Sequence, residues 1–390
     1  MRPTPSPISR ASRIASTRWL RSPHARIGRC TKAPALLAVG AIVVMASIAR
    51  GDPSPDLAPG EHETVLPRLV TLGGRLGAVP GRSPDATYPR GTIFIGWSPE
   101  RQGAALAEWD VEHARLLRQR SFGWQGGDVK VARSGNRVAV VANTLARARV
   151  KLAVVDANDW RLLASNDLGV STFAAVAMSG SLVAVWHDAA PYPLAARLNL
   201  LQVDLLDLAG HVLGTLSVPW TGALEWPGPW VAVIGERAYV VVPGMPSGAI
   251  AMVGPDGSIL KRFALTTEMA AIGAHNGRLE VGAGPVLEEL SPELEIIDRR
   301  RSKVDVLQPV LGPDGRIVGC GRVLSAALTV QAVLRGHATR WCHDALWSGG
   351  TAVMIGSAEV PSSWAWVSWF DPGEAGRTAP AEPGWSLPGL

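Results

Sequence analysis

The sequence predicts an all-β chain of about seven four-stranded repeats behind an N-terminal export segment. Three observations lead there. The first is turn content: 42 Gly and 30 Pro without a collagen-like period imply many short elements. The second is one plan that recurs seven times: a Gly, one or two polar residues, then a nearly unbroken apolar run. The recurrences fall 35 to 55 residues apart, close to the period of stacked β units. The third is the leader itself, set apart from the body by charge.

Residues 1–49 form that leader. Nine basic side chains and no acid lie in residues 1–50, and Ala35–Ala49 is an uncharged apolar run ended by Arg50-Gly51-Asp52-Pro53. A positive region, a short apolar region and small residues at its end are the parts of a secretory signal, with Ser47 and Ala49 preceding the cleavage point. The run is shorter than the ~20 residues of a spanning helix, but an uncleaved N-terminal anchor stays open as the alternative. The expected location is therefore secreted or periplasmic, or membrane-anchored through this segment alone. No Cys directly follows the run and no Arg-Arg pair precedes it, so lipoprotein and twin-arginine routes have no support. Beyond residue 50 there are 29 basic groups against 33 acids, so the pI near 9.4 belongs to the leader. A nucleic-acid partner is not expected, because it would need a basic stripe on the folded domain.

Residues 50–65 read as a linker, 66–371 as the repeat body and 372–390 as a Pro/Gly-rich tail. The first unit opens with GTIFIGW from Gly91 and continues into a tract around Asp110. That tract, LAEWDVEHARLLRQ, has helical composition, but its alignment with the other units reads it as strand, turn, strand. The second unit pairs GNRVAVVA from Gly135 with the hairpin at Asp156, and the third pairs GSLVAVW from Gly180 with the hairpin at Asp207. The fourth has GERAYVVV from Gly235 and the hairpin at Asp256; the fifth has GRLEVG from Gly277 and a looser hairpin from Glu289. GRIVGCG from Gly315 opens the sixth, and GTAVMIG from Gly350 the seventh, which ends near Asp371 with a weak outermost strand. Each run is apolar on both alternating faces, as a strand covered on both sides must be. Two hairpins per unit make four strands. Leu66–Val79 supplies spare strand-like sequence before the first unit, enough for an N-terminal strand to complete the last unit and hide its edge.

These runs and hairpins resemble the β-propeller class, most of all its lactonase-like and quinoprotein-like repeats with their V-x-D-x-x-x-G-type outer hairpin. The resemblance implies about seven four-stranded blades. It departs from WD repeats, since only Gly336-His337 echoes their Gly-His and no Trp-Asp recurs at strand ends from unit to unit. It also lacks the regular Thr-Gly and Trp of quinoprotein repeats. A fold of this kind does not carry function with it.

Candidate chemistry is sparse. Cys320 and Cys342 are the only thiols beyond the leader, and in an exported chain they suggest a disulfide or, as plainly, two buried thiols. His337, Cys342, His343 and Asp344 are the densest metal-capable run, without a second cluster at ligand spacing. Ser165 to Ser171 resembles the Ser-x-Asp-x-Gly-x-Thr box of sialidase propellers but falls between blades and is not repeated. His187-Asp188, Tyr192, Trp220, Trp226 and Trp230 mark the loops that receive the inter-blade crossings, and form the expected contact surface. The same Trp residues read equally as seals between blades. The expected function is an exported binding or scaffolding module for a protein or carbohydrate ligand, without a cofactor. The alternative is a lactonase-like hydrolase with Ca2+ in the central tunnel, for which Asp128, Asn143 and Asp344 are the nameable ligands.

Overall fold

A computed structural model describes residues 61–371 apart from 72–75, 99–102, 114, 125–126, 145–148, 172–173, 189–198, 221–229, 245–246, 268–269, 284, 305–308, 313, 320, 334–341 and 358–362. The leader and the tail after Asp371 lie outside the described residues.

The chain's first strand, β1 (Glu61–Thr71), belongs to its last sheet. Blade one is β2 (Gly77–Pro80), β3 (Thr92–Trp97), β4 (Ala105–Asp110) and β5 (Arg115–Ser121). Blade two is β6 (Val129–Ser134), β7 (Arg137–Thr144), β8 (Arg149–Asp156) and β9 (Leu162–Val170). Blade three is β10 (Ala174–Ser179), β11 (Leu182–Asp188), β12 (Asn199–Leu206) and β13 (Val212–Trp220). Blade four follows with β14 (Val231–Ile234), β15 (Arg237–Val242), β16 (Ala249–Val253) and β17 (Ile259–Ala264). Blade five has β18 (Ala271–His275), β19 (Arg278–Ala283), β20 (Val286–Leu290) and β21 (Ile296–Arg301). Blade six is the smallest: β22 (Val310–Leu311), β23 (Ile317–Gly319), β24 (Arg322–Leu324) and β25 (Val330–Val333). Blade seven is β26 (Cys342–Ser348), β27 (Thr351–Ser357) and β28 (Ser363–Phe370), completed by β1.

Every sheet is an antiparallel meander of four strands, and at six of the seven junctions the innermost strands of successive blades touch, β26 with β2 included. The molecule is a seven-bladed β-propeller. Each of the seven Gly-led runs is the second strand of its blade, covered on both faces by neighbouring blades. The turns into these strands need left-handed backbone: Gly135 and Gly180 take φ of 54° and 56°, where a side chain would be strained. The helical-looking tract of blade one is the β4–β5 hairpin, because burial on both faces of β4 outweighs local propensity.

The ring closes through β1, which pairs antiparallel with β28 from Glu61↔Phe370 to Thr71↔Ser363 across a bulge. Closure thus joins the two ends of the body by main-chain hydrogen bonds and removes an open edge. The strand starts at Glu61, inside the stretch read from sequence as a linker.

Two further patterns repeat around the ring. The outer turns are capped by their leading side chain: Asp156 Oδ1 accepts from Asn158 N–H, Asp207 Oδ1 from His211 N–H, and Ser291 Oγ from Glu293 N–H. Their later residue is left-handed, Gly210 and Gly257 in blades three and four but Trp160, Leu294 and Leu328 in blades two, five and six. Those three side chains are buried, so packing holds a backbone conformation that their Cβ disfavours. The same turns are gripped by the preceding blade. Arg118 donates to the carbonyls of Ala157 and Asn158, Asn166 to Gly210, Lys261 to Glu293 and Arg300 to Ala326.

Strand register also aligns one seam position in all seven blades. Early in each second strand, facing the next blade, stand Phe94, Ala139, Ala184, Tyr239, Glu280, Val318 and Val353, all buried. Six are apolar or aromatic. Blade five alone places a carboxyl there.

Candidate functional site

Strand direction puts the blade-to-blade crossings and the loops joining second to third strands on one face of the ring. On that face the two longest connections both leave blade three: 189–198 between β11 and β12, and 221–230 between β13 and β14. Tyr192 and Trp226 belong to them and lie outside the described residues. Asp188 and Trp220 are fixed at their roots as the last residues of β11 and β13, paired with Leu201 and Asn199. Their side chains are not described.

His187 stands beside this root, but not on a solvated loop: it is a strand residue only 1% exposed. Its Nε2 lies 3.0 Å from Asp204 Oδ2 on β12. Asp204 also accepts from Thr215 Oγ1 at 2.8 Å and from Gln202 Nε2 at 3.0 Å. Burial pulls the Asp204 pKa up, but the hydrogen bonds from His187, Gln202 and Thr215 outweigh it and hold the carboxyl below its ordinary value. An ionised Asp204 requires Nε2 to donate, and leaves Nδ1 as the ring's other polar atom. That Nδ1 is buried without a hydrogen-bond partner. The network ties β11, β12 and β13 together, from His187 beside the end of β11 down to Thr215, five residues before Trp220. Its first effect is to make a rigid corner.

Trp230 closes the second connection and is likewise internal, 3% exposed. Its ring meets Trp186 edge-on, with centroids 4.5 Å apart and planes at 88°. The pair fills the wedge between blades three and four, so Trp230 itself seals a seam rather than offering an open stacking surface.

Of the three nominated calcium ligands, two share a main-chain contact. Asp128 and Asn143 meet through main chain, Asn143 N–H donating to the Asp128 carbonyl at 2.9 Å, and the Asn143 side chain is buried. Asp344 belongs to β26, where the register shifts between Cys342 and Asp344, a bulge that re-aims the carboxyl. Its Oδ2 accepts from Ala78 N–H on β2 at 2.9 Å, so it clasps the last blade to the first at the inner edge. Burial raises its pKa, opposed by the Lys130 ammonium and the N–H groups of Ala78 and Ala345. Lys130 also reaches the Leu76 carbonyl at 3.3 Å. Among the described residues, no three His, Cys, Asp or Glu side chains converge as a metal site. Cys342 opens β26 rather than lying in the crossing before it, its side chain is not described, and Cys320 and His337 lie outside the described residues. The Ser165–Ser171 stretch runs through β9, where Asp167 binds Arg149.

Among the polar core residues that sequence reading missed are the acids Glu108, Asp204, Glu280 and Glu288. Glu108 and Glu288 hold Arg118 and Arg299 on the neighbouring outer strands, and Arg82 also reaches Glu108. Their only signal was an acid inside an otherwise apolar run.

No protein-family model and no curated protein matches the chain. Similar solved structures include one in the Mitotic Checkpoint Complex, at 12% identity and a TM-score of 0.49, over 82% of this chain and 96% of that one. Another is the β-propeller domain of Myceliophteria thermophila Cps50 (Swd1), at 9% identity and a TM-score of 0.45, over 76% and 99%. A protein of unknown function from Bacteroides caccae matches at 13% identity and a TM-score of 0.38, over 67% and 94%. The likeness is one of fold, and the seven-bladed assignment rests on the strand pairing itself.

Proposed function

We propose that the chain is an exported binding or scaffolding propeller whose contact surface is the crossing face above blades three and four. The observation that carries this reading is the coincidence of the two longest connections on that face with the buried His187–Asp204 pair, whose His187 stands next to the end of β11. Long loops on a rigid scaffold are where binding residues concentrate. Tyr192 and Trp226 supply amphipathic rings suited to a protein or carbohydrate partner. Export is supported by the leader's sequence, with anchoring through residues 35–49 as the variant of the same reading.

The test compares the wild-type protein with the double variant Tyr192→Ala, Trp226→Ala in crosslinking to proteins and glycans of the exporting cell. Both should unfold at the same temperature, and the variant should lose the wild-type adducts. Adducts retained at wild-type yield would remove the crossing face from consideration.

The second reading is a lactonase-like hydrolase using Ca2+, and what favours it is Asp344, a carboxyl placed on an innermost strand by a bulge. Elemental mass spectrometry on protein purified without chelator separates the two. Stoichiometric calcium that Asp344→Asn abolishes supports the hydrolase; its absence from wild-type protein supports the binder.

A further inference from the structure

The seam between blades five and six differs from the others at the position where Glu280 replaces an apolar side chain. Glu280 is 5% exposed. Its Oε2 accepts from Leu311 N–H on β22 at 2.9 Å, a direct polar tie from one blade to the next. Its Oε1 is buried with no hydrogen-bond partner. The apolar filling around it is thin: Leu287 meets Ile317, Leu324 and Leu328, and a small crevice opens beside Gly282, Ser302 and Pro309.

We propose that this seam is a proton-operated joint, closed while Glu280 carries its proton and loosened when the carboxyl ionises. The surroundings determine the direction. Glu289 lies directly across on β20, with Asp298 beyond it on β21. The nearby cations are already engaged: Arg278 pairs with Glu289 at 2.5 Å, and Arg300 with Asp298 at 2.9 Å. From β18 the facing residue is Gly273, with His275 two positions on and its own pKa lowered by burial against the pull of Glu289. From blade six, Arg322 shares with Leu324 the strand face turned toward blade five. A carboxylate here has one N–H donor, a like charge opposite and no committed counter-ion among the described residues. Burial accordingly pushes Glu280 up to about 7, with Leu311 N–H and Arg300 opposing and Glu289 adding to the rise.

The sign follows from proton linkage. The folded pKa lies above the ordinary value of 4.5, so the closed seam has its full stability below pH 4.5 and loses it as pH rises through about 7. Over that window the seam's opening equilibrium should grow by up to about tenfold per pH unit, if water reaches Glu280 in the open form. The joint is independent of the binding reading, because it lies in different blades.

Hydrogen exchange on the full chain tests it, with each amide corrected for base-catalysed intrinsic exchange. Protection of the segment containing Leu311 should fall between about pH 5 and about pH 8, while Val241 N–H in the tyrosine-containing second strand should keep its protection. In Glu280→Gln the Leu311 segment should become independent of pH. Should that variant not fold, Glu280→Leu serves in its place, since Leu is the residue type the other seams tolerate. Equal pH dependence in wild-type and variant, or in both segments of wild-type protein, would overturn the proposal.

Discussion

Tyr239 and Glu280 occupy the same position in adjacent blades, and the seams they face differ accordingly. Tyr239 is fully buried between blades four and five, inside a continuous apolar cluster that runs from Leu182 of blade three to Leu294 of blade five. Its one polar atom is satisfied: the hydroxyl donates to the Pro292 carbonyl at 2.7 Å, in the outer turn of the next blade. Glu280 faces blade six, whose innermost strand is only Val310–Leu311, and half of its carboxyl has no partner. The repeat therefore specifies where a seam residue stands, while its chemistry decides whether the seam is a permanent core or a conditional one.

The largest expected effect comes from breaking the stronger seam. Tyr239→Ala removes a buried ring and leaves the Pro292 carbonyl without its donor, so it should cost about 3–5 kcal/mol in denaturant unfolding. The loss should be the same in acid and at neutrality, because no titrating group is removed that changes charge there. A loss below about 1 kcal/mol would mean that the seam collapses around the cavity and is less rigid than its burial implies.

Making the weaker seam resemble the stronger one should give the opposite sign. Glu280→Leu removes the group whose folded pKa is about 7 against an ordinary 4.5. At about pH 8 the variant should be more stable than wild-type by roughly 0.5–2.5 kcal/mol, counting ~1.4 kcal/mol for each tenfold change in proton affinity and subtracting about 1–3 kcal/mol for the orphaned Leu311 N–H. Below pH 4.5 that advantage should vanish. Chemical denaturation at both pH values checks it, and a pH-independent difference would show that Glu280 acts through packing alone.

This difference between seams also marks the limit of what could be read from sequence. The seven-fold plan was legible because each second strand is covered on both faces, which forces a run such as GNRVAVVA to be apolar throughout. Outer hairpins were legible from Asp156, Asp207 and Asp256, whose carboxylates cap the turns they begin. Closure was foreshadowed by the spare strand before the first unit. Side-chain fate was not. His187 looks like a loop residue next to Pro191 and is a buried strand residue, because its partner Asp204 lies seventeen positions away on the next strand. Glu280 looks like a polar interruption, and only the register shows it standing where six other blades bury apolar groups. Trp160 and Leu294 read as ordinary hairpin residues, whereas their left-handed backbone and burial turn them into plugs.

The smallest effect concerns what the two seams share. At the rim of both, a side chain from the preceding blade grips the outer turn of the next, Lys261 on Glu293 and Arg300 on Ala326, as Asn166 does between blades two and three. Asn166 Nδ2 donates to the Gly210 carbonyl at 2.7 Å, and a Cβ at Gly210 would lie 2.3 Å from Asn166 Oδ1, so the β9 strand and the blade-three turn are in close contact. Asn166→Ala should therefore lose one part-buried hydrogen bond, about 1 kcal/mol. Lys261, which reaches the Glu293 carbonyl from an exposed position, should lose less when changed to Ala, because water replaces its ammonium contact readily. Thermal unfolding of both variants measures the ordering. If Lys261→Ala cost as much as Asn166→Ala, the rim contacts would be carrying the ring at the blade four–five junction, and the apolar seam around Tyr239 would not be the principal tie there. With the ordering as expected, the rim sets the spacing of blades while the second-strand seam position sets how firmly each pair is held.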